Sequence, residues 1–144
     1  MIRKAQLDDL PVVAELAGRL WPDHVGGELH TELADIIARP DAAFFLVYID
    51  KVAVGFAQCQ LRSDYVEGTE TSPVGYLEGI YVADGYRKQG IARELLSACE
   101  NWARTKGCIE FASDCELGNV QSLQFHLNVG FEEANRIICF TKQL

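Results

Sequence analysis

A mixed α/β fold in one domain is predicted by three patterns in the sequence. Strand-like apolar runs over Ala43–Ile49, Val52–Leu61 and Val74–Val82 alternate with stretches whose apolar residues recur at helical spacing. The first two runs meet at Asp50-Lys51, which predicts a hairpin. The third is followed by a short loop containing Gly85 and Gly90 and then by a long amphipathic stretch, so a strand-to-helix turn lies near the middle of the chain.

The elements follow in order. Ile2 to Gln6 reads as a short first strand, after which Asp8 or Asp9 can cap a helix with Leu10, Val13, Leu16, Ala17 and Leu20 on one face. Trp21-Pro22 ends it. A second helix is predicted from about Glu28 to Ala38, with Leu29, Leu33, Ile36 and Ile37 facing one way before the breaker Arg39-Pro40. After the hairpin, the polar stretch from Arg62 to Pro73 is long enough for a binding loop or a mobile connection. Val74–Val82 is expected to be a central strand. From Ile91 to Lys106 the positions Ile91, Leu95, Leu96, Cys99, Trp102 and Ala103 define a long helix, closed by Gly107 as a left-handed cap. Cys108 to Ser113 reads as a strand, Asn119 to Asn128 as a helix stopped by Gly130, and Phe131 to Thr141 as a last strand or strand pair.

Composition narrows the function classes. A chain of 144 residues, 49% hydrophobic and 24% charged, suits a single globular domain over residues 1–144. No apolar run is long enough to span a bilayer and no signal-type segment follows the first charged residues, so a cytoplasmic protein without membrane contact is expected. The formal net charge of −8 disfavours nucleic acid, whose binding needs a positive face to displace counterions, and favours cationic partners. Five cysteines without a Cys-x-x-Cys pair argue against a disulfide framework and against a metal site. Buried reduced thiols are the expected state, with Cys115 alone placed where a strand meets a loop.

The turn after Val82 carries the strongest chemical signal. Arg87, Gly90 and Ala92 stand at positions that let the backbone approach a ligand while the first amides of a helix point outward, which attracts anions. The loop lacks the Gly-Lys-Ser or Gly-Lys-Thr ending of a nucleotide P-loop and lacks three glycines at dinucleotide spacing. Arg-x-x-Gly-x-Ala after a strand resembles the acyl-CoA pyrophosphate loop of the GCN5-related N-acetyltransferase superfamily. A second segment, Asn119-Val120-Gln121-Ser122-Leu123-Gln124-Phe125-His126-Leu127-Asn128-Val129-Gly130-Phe131, is similar to another motif of that superfamily, with His126 where relatives commonly carry Tyr. More narrowly, Leu20-Trp21-Pro22, Asp64-Tyr65-Val66-Glu67-Gly68, Leu77-Glu78-Gly79-Ile80 and Phe111-Ala112-Ser113-Asp114 look like the bacterial aminoglycoside 6'-N-acetyltransferases.

The resemblance implies a GNAT fold, a mixed central β-sheet flanked by about four helices, with a splayed strand pair forming an acetyl-CoA cleft. It implies that acetyl-CoA is the cosubstrate and that no metal takes part. The pantetheine arm would pair with the backbone of Ile80, Tyr81 and Val82, the pyrophosphate would sit on Arg87, Lys88, Gln89, Gly90, Ile91 and Ala92, and Asn119 would steady the distal arm. The acetyl group would pass directly to an amine, which must shed its proton before attacking. Glu78 is expected to anchor the amine and relay its proton, Asp114 to anchor the substrate, and His126 to occupy the place of a thiolate-protonating Tyr. Trp21, His24, Tyr65 and Asn135 would line the substrate site, although Trp21 and Tyr65 suit a core or dimer contact equally. Aminoglycosides, polyamines or another polycationic small amine fit an acidic site, and an acyl-CoA sensor without transfer is the non-enzymatic alternative. Relatives of this kind are commonly homodimers, and the apolar run Ile137-Ile138-Cys139-Phe140 suits either a dimer or the monomer's own sheet.

Overall fold

The computed structural model describes residues 1–23 and 27–144. Its centre is a five-stranded sheet in sequential order, formed by β1 (Ile2–Lys4), β2 (Ala42–Ile49), β3 (Val52–Arg62), β4 (Val74–Val82) and β5 (Phe111–Ala112). The first four strands are antiparallel, and β5 lies parallel to β4. Asp50 and Lys51 both take positive φ, at 49° and 67°, so the predicted β2–β3 hairpin closes with the twist such tight turns favour.

Alternating side chains of β2 and β3 feed two apolar layers, as a two-residue period requires. Phe44, Leu46 and Phe56 pack beneath α1 (Leu10–Leu20) and α2 (Glu28–Ile37), together with Val13, Leu16, Leu29 and Leu33. Ala43, Val47, Ala57, Cys59 and Leu77 face the other way, against Leu95, Leu96, Cys99 and Trp102 of α3 (Ile91–Thr105). Gly107, at φ 87°, ends α3 as predicted. At the other end of the chain's first helix, Asp9 does not cap α1 with its side chain. It belongs to a 3-10 turn over Leu7–Asp9 and accepts the Gln6 N–H at 2.8 Å.

Three expectations need correction. The strand foreseen over Cys108 to Ser113 is only two residues long, because β4 and β5 pair at Gly75–Phe111 and Tyr76–Ala112 and then part. The segment from Phe131 to Thr141 forms no strand. It meets no sheet edge of this chain, and a strand without a ladder leaves its amides to solvent. Ile137, Ile138 and Phe140 are accordingly exposed by 67%, 81% and 88%. Of the cysteines, Cys59, Cys99 and Cys108 are buried, whereas Cys115 and Cys139 lie on the surface, carried there by the loop after β5 and by the uncovered terminal segment.

Candidate active site

The parting of β4 from β5 creates the cleft. From Leu77 to Val82 the edge of β4 that faced β5 has no strand beside it; side chains meet the Leu77 and Val82 carbonyls at its ends, and the edge between them is available to an extended ligand. The opposite edge continues to pair with β3 as far as Gly55–Val82. Ile80, Tyr81 and Val82 therefore lie on an accessible edge. Beyond them a 3-10 turn over Asp84–Tyr86 leads into the loop before α3.

That loop has the geometry of an anion cradle. Lys88 and Gly90 take positive φ, at 63° and 82°, and the first helical bond of α3 runs from the Glu94 N–H to the Gly90 carbonyl at 3.1 Å. The amides of the first turn are thus without intrahelical partners, at the positive end of the helix dipole. The space where a Cβ of Gly90 would stand is empty to 4 Å, which leaves room for a phosphate to approach. These residues fit the pyrophosphate of acetyl-CoA. Arg87 folds back toward β4: its Nε donates to the Val82 carbonyl at 2.8 Å and its guanidinium pairs with Asp84 at 3.0 Å. Asn119 accepts the Ser122 N–H at 3.1 Å, so its side-chain oxygen caps α4 (Val120–Asn128).

Glu78 owes its place to a bulge. Cys59 pairs with Leu77 and Gln58 with Gly79, so Glu78 is one residue in excess of the β3 ladder. Such an insertion bends the strand and re-aims a side chain. The Glu78 carboxylate accepts from Arg62 Nε at 3.0 Å and from Arg62 Nη2 at 2.8 Å, a bidentate pair. The same guanidinium stacks on the Tyr76 ring, 3.5 Å from its centre. Tyr76 in turn donates its hydroxyl to Asp114, just beyond β5. Glu78 holds the Arg62 guanidinium above its ordinary pKa, and burial, followed by the bond to Asp114, pushes the Tyr76 hydroxyl up. Both acids singled out in the sequence therefore sit at the mouth of the cleft, joined through two residues the sequence did not mark.

His126 projects from α4 toward the same junction. Its Nδ1 lies 2.6 Å from the Ser122 carbonyl, which can only accept, so Nδ1 carries a hydrogen. Its Nε2 lies 2.7 Å from Ser113 Oγ, and that hydroxyl is 3.5 Å from the Leu77 carbonyl where β4 and β5 separate. The ring reaches the cleft through Ser113, which sequence reading missed.

The remaining candidates surround this centre unequally. Trp21 lies over β4, and a Cβ on Gly79 would come within 2.6 Å of its ring. It also meets Phe56 edge-on at 6.1 Å, so it joins the core to the site. Tyr65 is exposed on the loop after β3. Asn135 donates to Glu67 at 3.1 Å, across that same loop. His24 lies outside the described residues. Glu110, another residue missed in the sequence, binds the Glu70 and Thr71 amides at 2.9 and 2.8 Å and so pins the loop. Among the described residues no group of acidic, His or Cys side chains forms a metal site.

An open strand edge, a helix-terminal anion cradle and an acidic mouth between parted strands define a class, and the chain belongs to the acetyltransferase (GNAT) family, whose pattern it matches over residues 10–131. Within that family it is 42% identical to the aminoglycoside N(6')-acetyltransferase type 1 of Stenotrophomonas maltophilia over 144 residues, covering 99% of this chain and 93% of the relative. It is 41% identical to the protein of that name from Acinetobacter haemolyticus, over 90% of this chain and 89% of the relative. Among solved structures, AAC(6')-Iy in complex with the bisubstrate analogue CoA-S-monomethyl-acetylneamine superposes with a TM-score of 0.96 at 37% identity. That match covers 100% of this chain and 98% of the other. AAC(6')-IG from Acinetobacter haemolyticus gives 0.95 at 38% identity, covering 100% and 99%.

Proposed function

We propose that this chain transfers the acetyl group of acetyl-CoA to the 6'-amino group of aminoglycosides by direct attack in a ternary complex, and so confers resistance to them. The observation that carries the reading is the placement of Glu78 and Asp114 beside the point where β4 and β5 part, next to an open strand edge and an anion cradle. Likeness over nearly the whole chain to proteins named aminoglycoside N(6')-acetyltransferase supports the choice of amine.

In this scheme acetyl-CoA supplies the thioester. Its pantetheine arm lies along Ile80 to Val82 and its pyrophosphate on the amides from Arg87 to Ala92, with Asn119 near the distal arm. The carboxylates attract the polycation, and Glu78, directly or through a water, takes the proton that the 6'-ammonium must lose. The amine nitrogen bonds the acetyl carbon, the carbon–sulfur bond breaks, and the thiolate gains a proton. Ser113, hydrogen-bonded to His126 Nε2, stands between the ring and the cleft, and a His126 carrying a hydrogen on both nitrogens would pass the Nε2 proton to the Ser113 hydroxyl as that hydroxyl gives its own to the thiolate. Trp21 and Tyr65 give flat faces to sugar rings, with Asp114 as an anchor. Holding the two substrates in line supplies much of the rate.

The active protein is a homodimer in the cytoplasm. Support for the dimer comes from the terminal segment, whose Ile137, Ile138 and Phe140 are exposed; among the described residues no helix is long and apolar enough to cross a membrane. The test is CoA release from acetyl-CoA with kanamycin or tobramycin, against a derivative lacking the 6'-amine. Turnover that disappears with the derivative is the expected result. Preference for a polyamine by orders of magnitude, or acetyl-CoA binding without transfer to any amine, overturns it.

A further inference from the structure

Four side chains, from β3, β4 and the loop just after β5, form one continuous polar chain on the site face of the sheet: Glu78, Arg62, Tyr76 and Asp114. Arg62, the last residue of β3, commits Nε and Nη2 to the two oxygens of Glu78, leaving each oxygen a further lone pair for another donor. Its planar face rests on Tyr76, and the Tyr76 hydroxyl fixes one oxygen of Asp114. A lysine could supply the charge but neither the fork nor the stacked plane. Tyr76 is 6% exposed, so the platform on which Arg62 rests is itself held by packing.

The charges within this chain oppose two requirements of the reaction. A polycationic substrate binds better the more negative the site. The attacking amine, however, must be neutral, and nearby carboxylates favour its charged form. With both acids ionised and Arg62 cationic, the cluster carries a net charge of −1 instead of −2. We propose that Arg62 is a positioning residue of the acetyl-transfer site, which fixes the orientation of Glu78 and moderates the joint charge of Glu78 and Asp114 so that a bound ammonium can lose its proton. The inference rests on the acetyltransferase reading and deepens it. It assigns to the amine site a built-in cation that trades affinity for turnover.

The trade gives a signature that simple structural damage does not. Arg62→Gln removes the cation and releases Glu78 while Asp114 keeps its Tyr76 partner, so kcat with tobramycin falls at least about tenfold while its KM stays level or decreases. Arg62→Lys restores the charge without the fork and recovers part of kcat. A generally disordered site would instead raise KM as kcat fell. Calorimetric titration of tobramycin onto wild type and Arg62→Gln gives the same comparison without turnover, with equal or tighter binding expected for the variant. Unchanged kcat in Arg62→Gln, or binding weakened tenfold in calorimetry, overturns the proposal. Should Arg62→Gln fail to bind acetyl-CoA as a sign of misfolding, Arg62→Lys decides: wild-type kcat and KM there overturn it, and lowered kcat at level KM upholds it. Wild type that turns over no aminoglycoside counts against the function reading, while calorimetry still decides the role of Arg62.

Discussion

At the scale of single residues, the two acids of the site are unequal in their attachments. Glu78 is held by a bidentate arginine and is largely shielded by it, whereas Asp114 stands at the surface with one tyrosine hydroxyl as its partner. A group that relays a proton should matter to kcat, and one that anchors a substrate should matter to KM. Glu78→Gln is expected to lower kcat by about 10² with the acetyl-CoA dissociation constant unchanged, in line with the typical worth of a positioned base. Asp114→Asn should chiefly raise the aminoglycoside KM, by about tenfold, as the loss of one charge-assisted contact suggests. Steady-state kinetics beside direct acetyl-CoA binding separates the two. Both acids could be named from the sequence because they fall in short segments that resemble related enzymes. Arg62 and Tyr76 could not, since Arg62 meets Glu78 16 positions away only through the register of the β3–β4 ladder. Ser113 escaped for the same reason: its link to His126 requires the folded arrangement of β5 and α4.

At the scale of elements, the turn before α3 was legible because its chemistry is local. A glycine at φ 82° and a helix start are encoded within a few residues. Gly90→Val places a branched side chain in a left-handed conformation and in the space left for a phosphate. It should cost about 1–2 kcal/mol in urea unfolding and raise the acetyl-CoA KM more than tenfold, with the aminoglycoside KM little changed. The loop from Ser63 to Pro73 was legible only as a loop, because its anchor lies outside it. Glu110 accepts from the Glu70 and Thr71 amides and from the Thr71 hydroxyl, and these bonds, that to the Thr71 hydroxyl first, lower the carboxyl below its usual range. A folded-state pKa below the unfolded one means that the contribution is present above the unfolded value and fades as pH falls through the folded one. Ordering of the loop should therefore weaken on acidification below about pH 4.5, its ordinary value. Amide exchange at Glu70 and Thr71, compared between wild type and Glu110→Gln, checks this. The variant should exchange these amides faster at neutral pH and show no further loss in acid.

At the scale of the whole molecule, the sheet and its two helical layers were readable because the apolar periods are strong. Val13, Leu16, Leu33, Phe56, Leu95 and Leu96 are all at 2% exposure or less, and every helix core position so marked falls within the predicted elements. The strand expected over Phe131 to Thr141 does not form, because hydrophobicity marks a segment as suited to burial without supplying a sheet edge for it to pair with. Arg93 ties the Asn128 carbonyl at the end of α4 at 3.0 Å, and Asn135 ties Glu67, but after Arg136 the chain has no hold on its own sheet. Ile137, Ile138 and Phe140 suit a second copy, whose own terminal segment would be equally uncovered. Sedimentation at low micromolar concentration should give a dimer, and Ile138→Asp with Phe140→Asp should give a monomer. A wild-type monomer at that concentration would contradict the arrangement.

Glu78 also has a meaning as surplus length. Leu77 faces α3 and Gly79 faces Trp21, which is the alternation two adjacent residues of a regular strand would show, so excising Glu78 would leave both where they are. The shortened β4 would pair with β3 without interruption, and Arg62, already 39% exposed at its side chain, could turn to water. Deletion of Glu78 should thus give a protein with a melting temperature equal to or above that of the parent and with no acetyl transfer. The active site would then be a fault in the weave, maintained against a simpler sheet that the remaining residues are able to form.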